Sequence, residues 1–197
     1  MKPMSSLSQT LPIGGLVQGD EDAGLVLAAQ RDPALFAAVY ERWVGPIYQY
    51  FHFRTGDAPS AEDLTSQLFL SAFQALPRYR HQGHFAAWIF AIARNLAAGF
   101  YRQRAREAPL EDAGDGPDGI APTDPQADAD RRDEIAALRR AIRALPGEEQ
   151  ELIRLRYAAG LSFADIALVL NRSEDAVKKS TYRLQARLQS LLEQNHE

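Results

Sequence analysis

The sequence predicts an all-α protein: two small helical domains, an N-terminal helical bundle and a C-terminal four-helix domain containing a helix-turn-helix, joined by a flexible acidic linker. Three observations carry this. Apolar residues recur at three- and four-residue spacing on both sides of the chain's middle, the period of a helix with one buried face. No stretch alternates apolar and polar residues long enough to read as a strand. Between the two periodic parts, residues 107–129 are rich in Asp, Pro, Gly and Ala, as in "GDGPDGIAPTDPQADAD", with almost no apolar side chains to offset the entropy of ordering. The predicted organisation is a disordered tail over 1–19, a domain over 20–106, the linker over 107–129, and a second domain over 130–194.

The first predicted helix starts at Asp32-Pro33, an N-cap side chain followed by proline in the first turn. Phe36, Val39, Tyr40, Trp43, Ile47, Tyr50 and Phe51 then share one face, and Pro46 is expected to kink or split the helix. Ser60 with Asp63 resembles a capping box. It is expected to open a helix with Leu64, Leu68, Ala72 and Phe73 on its stripe, stopping near Pro77. After the loop "RHQGH", Phe85, Trp88, Ile89, Ile92, Leu96 and Phe100 mark a third long helix that ends among Arg102, Arg104 and Arg106.

Four helices are expected in the second domain. One holds Ile135, Leu138 and Ile142 and stops at Leu145-Pro146; the next carries Leu152, Leu155 and Arg156 and ends at Gly160. Ser162 and Asp165 cap a short helix with Ile166, Val169 and Leu170, and Asn171 suits the left-handed residue that would end it. Ser173 caps a final helix that buries Val177, Leu184, Leu188 and Leu191.

Composition narrows the function. Of 197 residues, 46% are hydrophobic and 24% charged, an ordinary globular balance. The chain has no cysteine, which excludes disulfides, thiolate metal sites and cysteine nucleophiles. No apolar run approaches the ~18–20 residues of a membrane span, and the first 20 residues lack the pattern of a signal peptide. A cytoplasmic location without membrane insertion is therefore expected. The net charge of −4 argues at first against nucleic acid, but the average conceals an asymmetry. Six arginines and no acid lie between Pro77 and Arg106, while eight acids and no Lys or Arg lie between Glu107 and Asp130.

Two constellations carry chemistry. Leu161 to Leu184 has the spacing of a helix-turn-helix, in which the first helix braces the second against the major groove. With Val177 and Leu184 inward, Lys178, Lys179, Tyr182 and Arg183 project outward, and Arg172 and Ser173 sit at the helix N-terminus, where a phosphate is favoured. A helical hairpin with a solvated basic face is the plainer alternative. The second constellation joins Tyr79, Arg80, His81, Gln82 and His84 to the helix reaching Arg106. Arginines that track phosphates and rings that stack on unpaired bases are what single-stranded DNA binding needs. Trp88, Phe85 and Phe100 lie on the apolar stripe and read as core, and the arginines could equally be a solvated face. His81 and His84 lack the further ligands a zinc site needs. No cofactor or metal site is expected, and no nucleophile, base and orienter assemble, so catalysis has no support.

In this order, with this linker, the two constellations resemble the extracytoplasmic-function (ECF) group of bacterial RNA polymerase sigma factors. The resemblance rests on "GDAPSAEDLTSQLFLSAFQALPRYR", "GHFAAWIFAIARNLAAGFYRQRAR" and "LPGEEQELIRLRYAAGLSFADIALVLNRSEDAVKKSTYRL". It implies a protein that is not an enzyme, is monomeric when free, docks on core RNA polymerase and binds promoter DNA, with an anti-sigma factor as a further partner. By resemblance, Asp63, Ser66 and Gln67 contact the polymerase. Tyr79, Arg80, His81, Gln82, His84, Arg94, Asn95, Tyr101 and Arg102 capture the minus-ten element as single strand. Arg172, Ser173, Lys178, Lys179, Tyr182 and Arg183 read the minus-thirty-five duplex. The chain departs from the family pattern at Ser66-Gln67, where Gln-Glu is usual, and at Phe73, where Trp is usual. The alternatives are a freestanding helix-turn-helix regulator and a sigma-like decoy that sequesters an anti-sigma factor.

Overall fold

A computed structural model describes residues 21–107 and 137–194; the predicted tail, the predicted linker from residue 108 on, and Ile135 lie outside the described residues, while Glu107, expected to open the linker, is the last residue of a helix. Among the described residues there is no strand. In chain order the helices are α1 (Glu21–Arg31), α2 (Phe36–Thr55), α3 (Ala58–Ala75), α4 (Phe85–Glu107), α5 (described over 137–143), α6 (Gly147–Ile153), α7 (Phe163–Leu170) and α8 (Glu174–Gln194). None is long and apolar enough to cross a membrane.

Helix α1 was not expected from the periodicity. Its only fully buried apolar anchors are Val26 and Ala29, too few in eleven residues to mark a stripe. It is held to α2 by the buried Asp22, whose carboxylate accepts from Arg42 at 2.9 Å. At Asp32 the expected cap forms: its side chain accepts from the Ala34 amide, and a short 3₁₀ turn over Pro33–Leu35 leads into α2.

Pro46 does not split α2, which runs unbroken from Phe36 to Thr55. The residue before it is Gly45, which has no Cβ to clash with the pyrrolidine ring, so the helical conformation ahead of the proline is relieved of part of its usual cost. The Ser60/Asp63 capping box is also corrected. Helix α3 begins three residues earlier, capped by Asp57, whose carboxylate accepts from the Ser60 amide at 2.8 Å. Aspartate directly before Ala58-Pro59 combines an N-cap acceptor with proline in the first turn, and this outcompetes the later serine. Phe73 is exposed rather than on the buried stripe, its ring edge-on to Phe36 at 5.1 Å.

The core of the first half is aromatic. Trp43 meets Phe85 and Phe90 at about 6 Å between ring centres, and Tyr50 meets Phe90 in an edge-to-face contact at 5.5 Å. In the second half, α6 continues into a wide π-type turn over Arg154–Ala158, closed by the Ala159 amide on the Arg154 carbonyl at 2.9 Å. Gly160, at φ +71°, ends it in the left-handed region as expected. Ser162 caps α7 by accepting from the Asp165 amide at 3.1 Å. Asn171 adopts φ 52°, and the Arg172 amide reaches back to the Ala167 carbonyl at 2.9 Å, a Schellman-type stop.

The two halves are not separate bodies. Helix α2 packs on the wide turn and α4 packs on α7, so one continuous apolar cluster runs from Val26 to Leu184.

Candidate nucleic-acid interface

The loop over 79–84 leaves α3 through a 3₁₀ turn at Leu76–Arg78 and enters α4 at Phe85. Its backbone is pinned from outside: Gln30 of α1 donates to the Leu76 and Tyr79 carbonyls at 2.8 and 2.6 Å. The Tyr79 ring leans on Trp88 at 4.6 Å and Phe85 at 5.6 Å, which leaves Trp88 half-buried. Burial raises the Tyr79 phenol above its ordinary value, and its hydroxyl lies 3.5 Å from the His81 ring. Gly83 sits at φ +79°, a conformation that L side chains rarely adopt, and it turns the chain between Gln82 and His84. Arg80 and Gln82 point to solvent, while the half-exposed His84 lies 3.3 Å from the buried carboxylate of Asp165 on α7. Gln30 gave no signal in the sequence, because a lone polar residue on an unrecognised helix has no pattern to belong to.

Helix α4 divides its four expected residues between two faces. Asn95 and Arg102 are seven apart, lie on one face and are exposed. Arg94 and Tyr101, also seven apart, lie on the other and turn toward neighbouring elements. The Tyr101 hydroxyl donates to the Arg54 carbonyl, and the Arg54 guanidinium lies over the Tyr101 ring. Arg94 donates to the Val169 carbonyl of α7. The nine residues therefore do not form one cluster. Tyr101 lies about 24 Å along the helix axis from Phe85, at 1.5 Å per residue.

The helix-turn-helix forms as α7, a turn over 171–173, and α8. Val177 and Leu184 are buried, Leu188 is half-buried, and the side chain of Leu191 lies outside the described residues. Lys179, Tyr182 and Arg183 are exposed, Tyr182 at 61%. Lys178 is half-exposed and paired with Glu174 one turn earlier at 2.7 Å, which raises its ammonium above the ordinary lysine value. Ser173 caps α8 through the Ala176 amide at 3.3 Å. Arg172 turns its guanidinium onto the Ser180 hydroxyl at 2.6 Å, bracing the start of α8. A cation–π stack also escaped the sequence reading: Arg156 lies 4.4 Å over the Phe163 ring and donates to the Leu161 carbonyl at 2.7 Å.

On α3, Asp63, Ser66 and Gln67 are exposed and follow one another on a single face with Leu70, which is 60% exposed. Leu35 in the 3₁₀ turn, Tyr40 on α2 and Phe73 on α3 add further exposed apolar surface.

Between the halves lies a buried polar cluster. Glu151 of α6 accepts from the Tyr50 hydroxyl at 2.7 Å and from Arg54, with Arg94 at 3.4 Å and Arg154 at 3.5 Å. Burial, and then the Glu151 carboxylate, hold the Tyr50 phenol far above its ordinary value. Burial and then the Arg54 charge lower Arg154.

Comparison with known proteins follows this division. The Sigma-70 region 2 family matches residues 39–107, from within α2 to the end of α4, and the Sigma-70 region 4 family matches 135–188. The ECF RNA polymerase sigma factor BldN of Streptomyces coelicolor is 34% identical over 175 residues; the alignment takes in 85% of this chain, which spans 64% of that relative's length. The ECF sigma factor ShbA of Streptomyces griseus is 32% identical over 146 residues, covering 71% of this chain and 75% of ShbA. The chain belongs to the ECF sigma factors. The solved structure of CnrH with the cytosolic domain of CnrY shares the fold of this ECF chain, with a TM-score of 0.65 at 23% identity over 88% of this chain and 98% of that one.

Proposed function

We propose that this ECF sigma factor binds core RNA polymerase in the cytoplasm, directs it to promoters, and performs no bond chemistry of its own. The reading assigns three surfaces. Asp63, Ser66 and Gln67, with Leu70 and Phe73 beside them, form the polymerase-docking face of α3. The 79–84 loop with Arg94, Asn95, Tyr101 and Arg102 captures the melted minus-ten strand. Arg172, Ser173, Lys178, Lys179, Tyr182 and Arg183 engage the minus-thirty-five duplex. Ser173 acts through the free donors of the α8 N-terminus, and Arg172 by holding that terminus in place.

The observation that carries the reading is the exposed head of α8, where Lys179, Tyr182 and Arg183 project from a helix whose opposite face is anchored by Val177 and Leu184. A guanidinium on a rigid recognition helix reads guanine edges, and an ammonium neutralises phosphate. Capture of an unstacked base in a pocket supplies a few kcal/mol toward duplex opening without any catalytic group. An anti-sigma partner fits the same reading: CnrH is solved with the cytosolic domain of CnrY, and RpoE of Bartonella quintana with the anti-sigma factor NepR.

Run-off transcription on a promoter library, with core polymerase from the same bacterium, tests the proposal. Start sites should appear only when the protein is present. Arg183→Ala should weaken duplex binding by about 1–3 kcal/mol and relax selectivity at one base pair. Initiation unaltered by the protein would sink the reading.

A further inference from the structure

We infer that Gln30, on α1, is a positioning residue for capture of the minus-ten strand. Its carboxamide fixes the root of the 79–84 loop, so that a helix outside the loop helps set what the loop reads. The inference rests on the proposed role of that loop, but the brace itself stands on geometry.

The loop starts where the 3₁₀ turn over Leu76–Arg78 ends. The Tyr79 amide closes that turn on the Leu76 carbonyl at 3.0 Å, and Tyr79 itself is extended, at φ −67° and ψ 130°. The Leu76 and Tyr79 carbonyls bracket the turn, and the Gln30 amide nitrogen donates to both, at 2.8 and 2.6 Å. A primary amide carries two N–H donors, so one side chain satisfies both acceptors at once.

The bond to the Tyr79 carbonyl has a particular effect. It fixes the plane of the peptide that joins Tyr79 to Arg80, and that peptide is rigid. Rotation of the plane would swing the exposed Arg80, and Gln82 beyond it, to a different bearing. The ring of the same residue is seated from another side, on Trp88 and Phe85 of α4. Tyr79 is therefore held by its backbone from α1 and by its ring from α4.

Gln30 is not what keeps α1 in place. That helix has Val26 and Ala29 in the core, and its buried Asp22 pairs with Arg42 at 2.9 Å. Both printed donations of the Gln30 amide go to the turn, so its influence on a strand passes through the loop. A loop already set in its binding shape spares the ordering that binding would otherwise require. Removing the two hydrogen bonds corresponds to roughly a tenfold loss of strand capture.

The test uses the full chain with Gln30→Glu, which keeps the size but offers only acceptors to the two carbonyls, and with the uncharged Gln30→Ala. Circular dichroism confirms that helicity is kept. With core polymerase, both variants should lower run-off initiation about tenfold and relax base preference at the minus-ten element. Affinity for core polymerase and for the minus-thirty-five duplex should stay at wild type. Trp43 is 1% exposed, so a red shift in tryptophan emission reports Trp88, on which Tyr79 leans, and both variants should show it. Reduced initiation with unchanged minus-ten preference would make Gln30 a stabilising residue only and overturn the inference. A loss confined to Gln30→Glu would mark charge repulsion and overturn it as well, as would wild-type behaviour of both variants. If the wild type initiates nothing, the sigma reading fails by itself, and the emission shift decides whether Gln30 sets the loop.

Discussion

Glu151 comes from the stretch "GEEQELIRLR", where glutamates stand at 148, 149 and 151 and only the third is buried. Its position four residues before Leu155 puts it on the apolar face, and a charge on that face is the signal that could have marked it. Its partner Tyr50 is fully buried and reads from sequence as plain core. The phenol has a chemical consequence. Because its folded pKa lies above the unfolded one, the folded state holds the proton while the unfolded state loses it above about pH 10. The stability tied to Tyr50 is therefore complete below pH 10 and falls as pH rises, by up to about 1.4 kcal/mol per pH unit. Urea melts from pH 8 to 11 should show a shallower alkaline loss for Tyr50→Phe than for wild type. Equal slopes would mean that Tyr50 ionises alike in both states.

At the scale of elements, the turn between α7 and α8 depends on one residue. Asn171 holds φ 52°, and its amide donates to the Leu168 carbonyl at 3.2 Å. Asparagine tolerates this conformation and a β-branched residue does not. Asn171→Val should lower stability by about 1–2 kcal/mol and disturb the set of α8, whereas Asn171→Gly should stay near wild type. Thermal melts of the two variants, with duplex binding measured alongside, check this; equal melting points would remove the strain argument. These helix ends were legible in the sequence because cap chemistry is local: Asp32, Gly160, Ser162, Asn171 and Ser173 each act within a few residues. The start of α3 was misread between two local signals, with Asp57 prevailing over Ser60. Helix α1 was not legible, since what orders it is distant: Asp22 on Arg42, and Gln30 on the Leu76 and Tyr79 carbonyls.

For the whole molecule, the sequence suggested two domains held by a tether, and residue patterns contained nothing about how the halves meet. That contact depends on pairs such as Tyr50 with Glu151 and Arg94 with Val169, which periodicity within one helix cannot reveal. The exposed residues of the candidate site were legible by type and spacing. The internal partners of Arg94, Tyr101 and Arg172 were not. A shared core predicts shared melting: scanning calorimetry should give one cooperative transition, with calorimetric and van't Hoff enthalpies equal. Two resolved transitions would show that the halves unfold independently.

The Glu151 cluster also bears on inheritance. In the proposed function the two halves address different parts of a promoter, so exchanging them between relatives looks like a simple way to mix specificities. A transplanted C-terminal half brings its buried carboxylate with it, and a host α2 lacking the hydroxyl of Tyr50 and the guanidinium of Arg54 would leave that carboxylate stranded. Chimeras should be viable only when the seam residues travel together, so the lineage is free to alter what each half reads but must keep the halves as a matched pair.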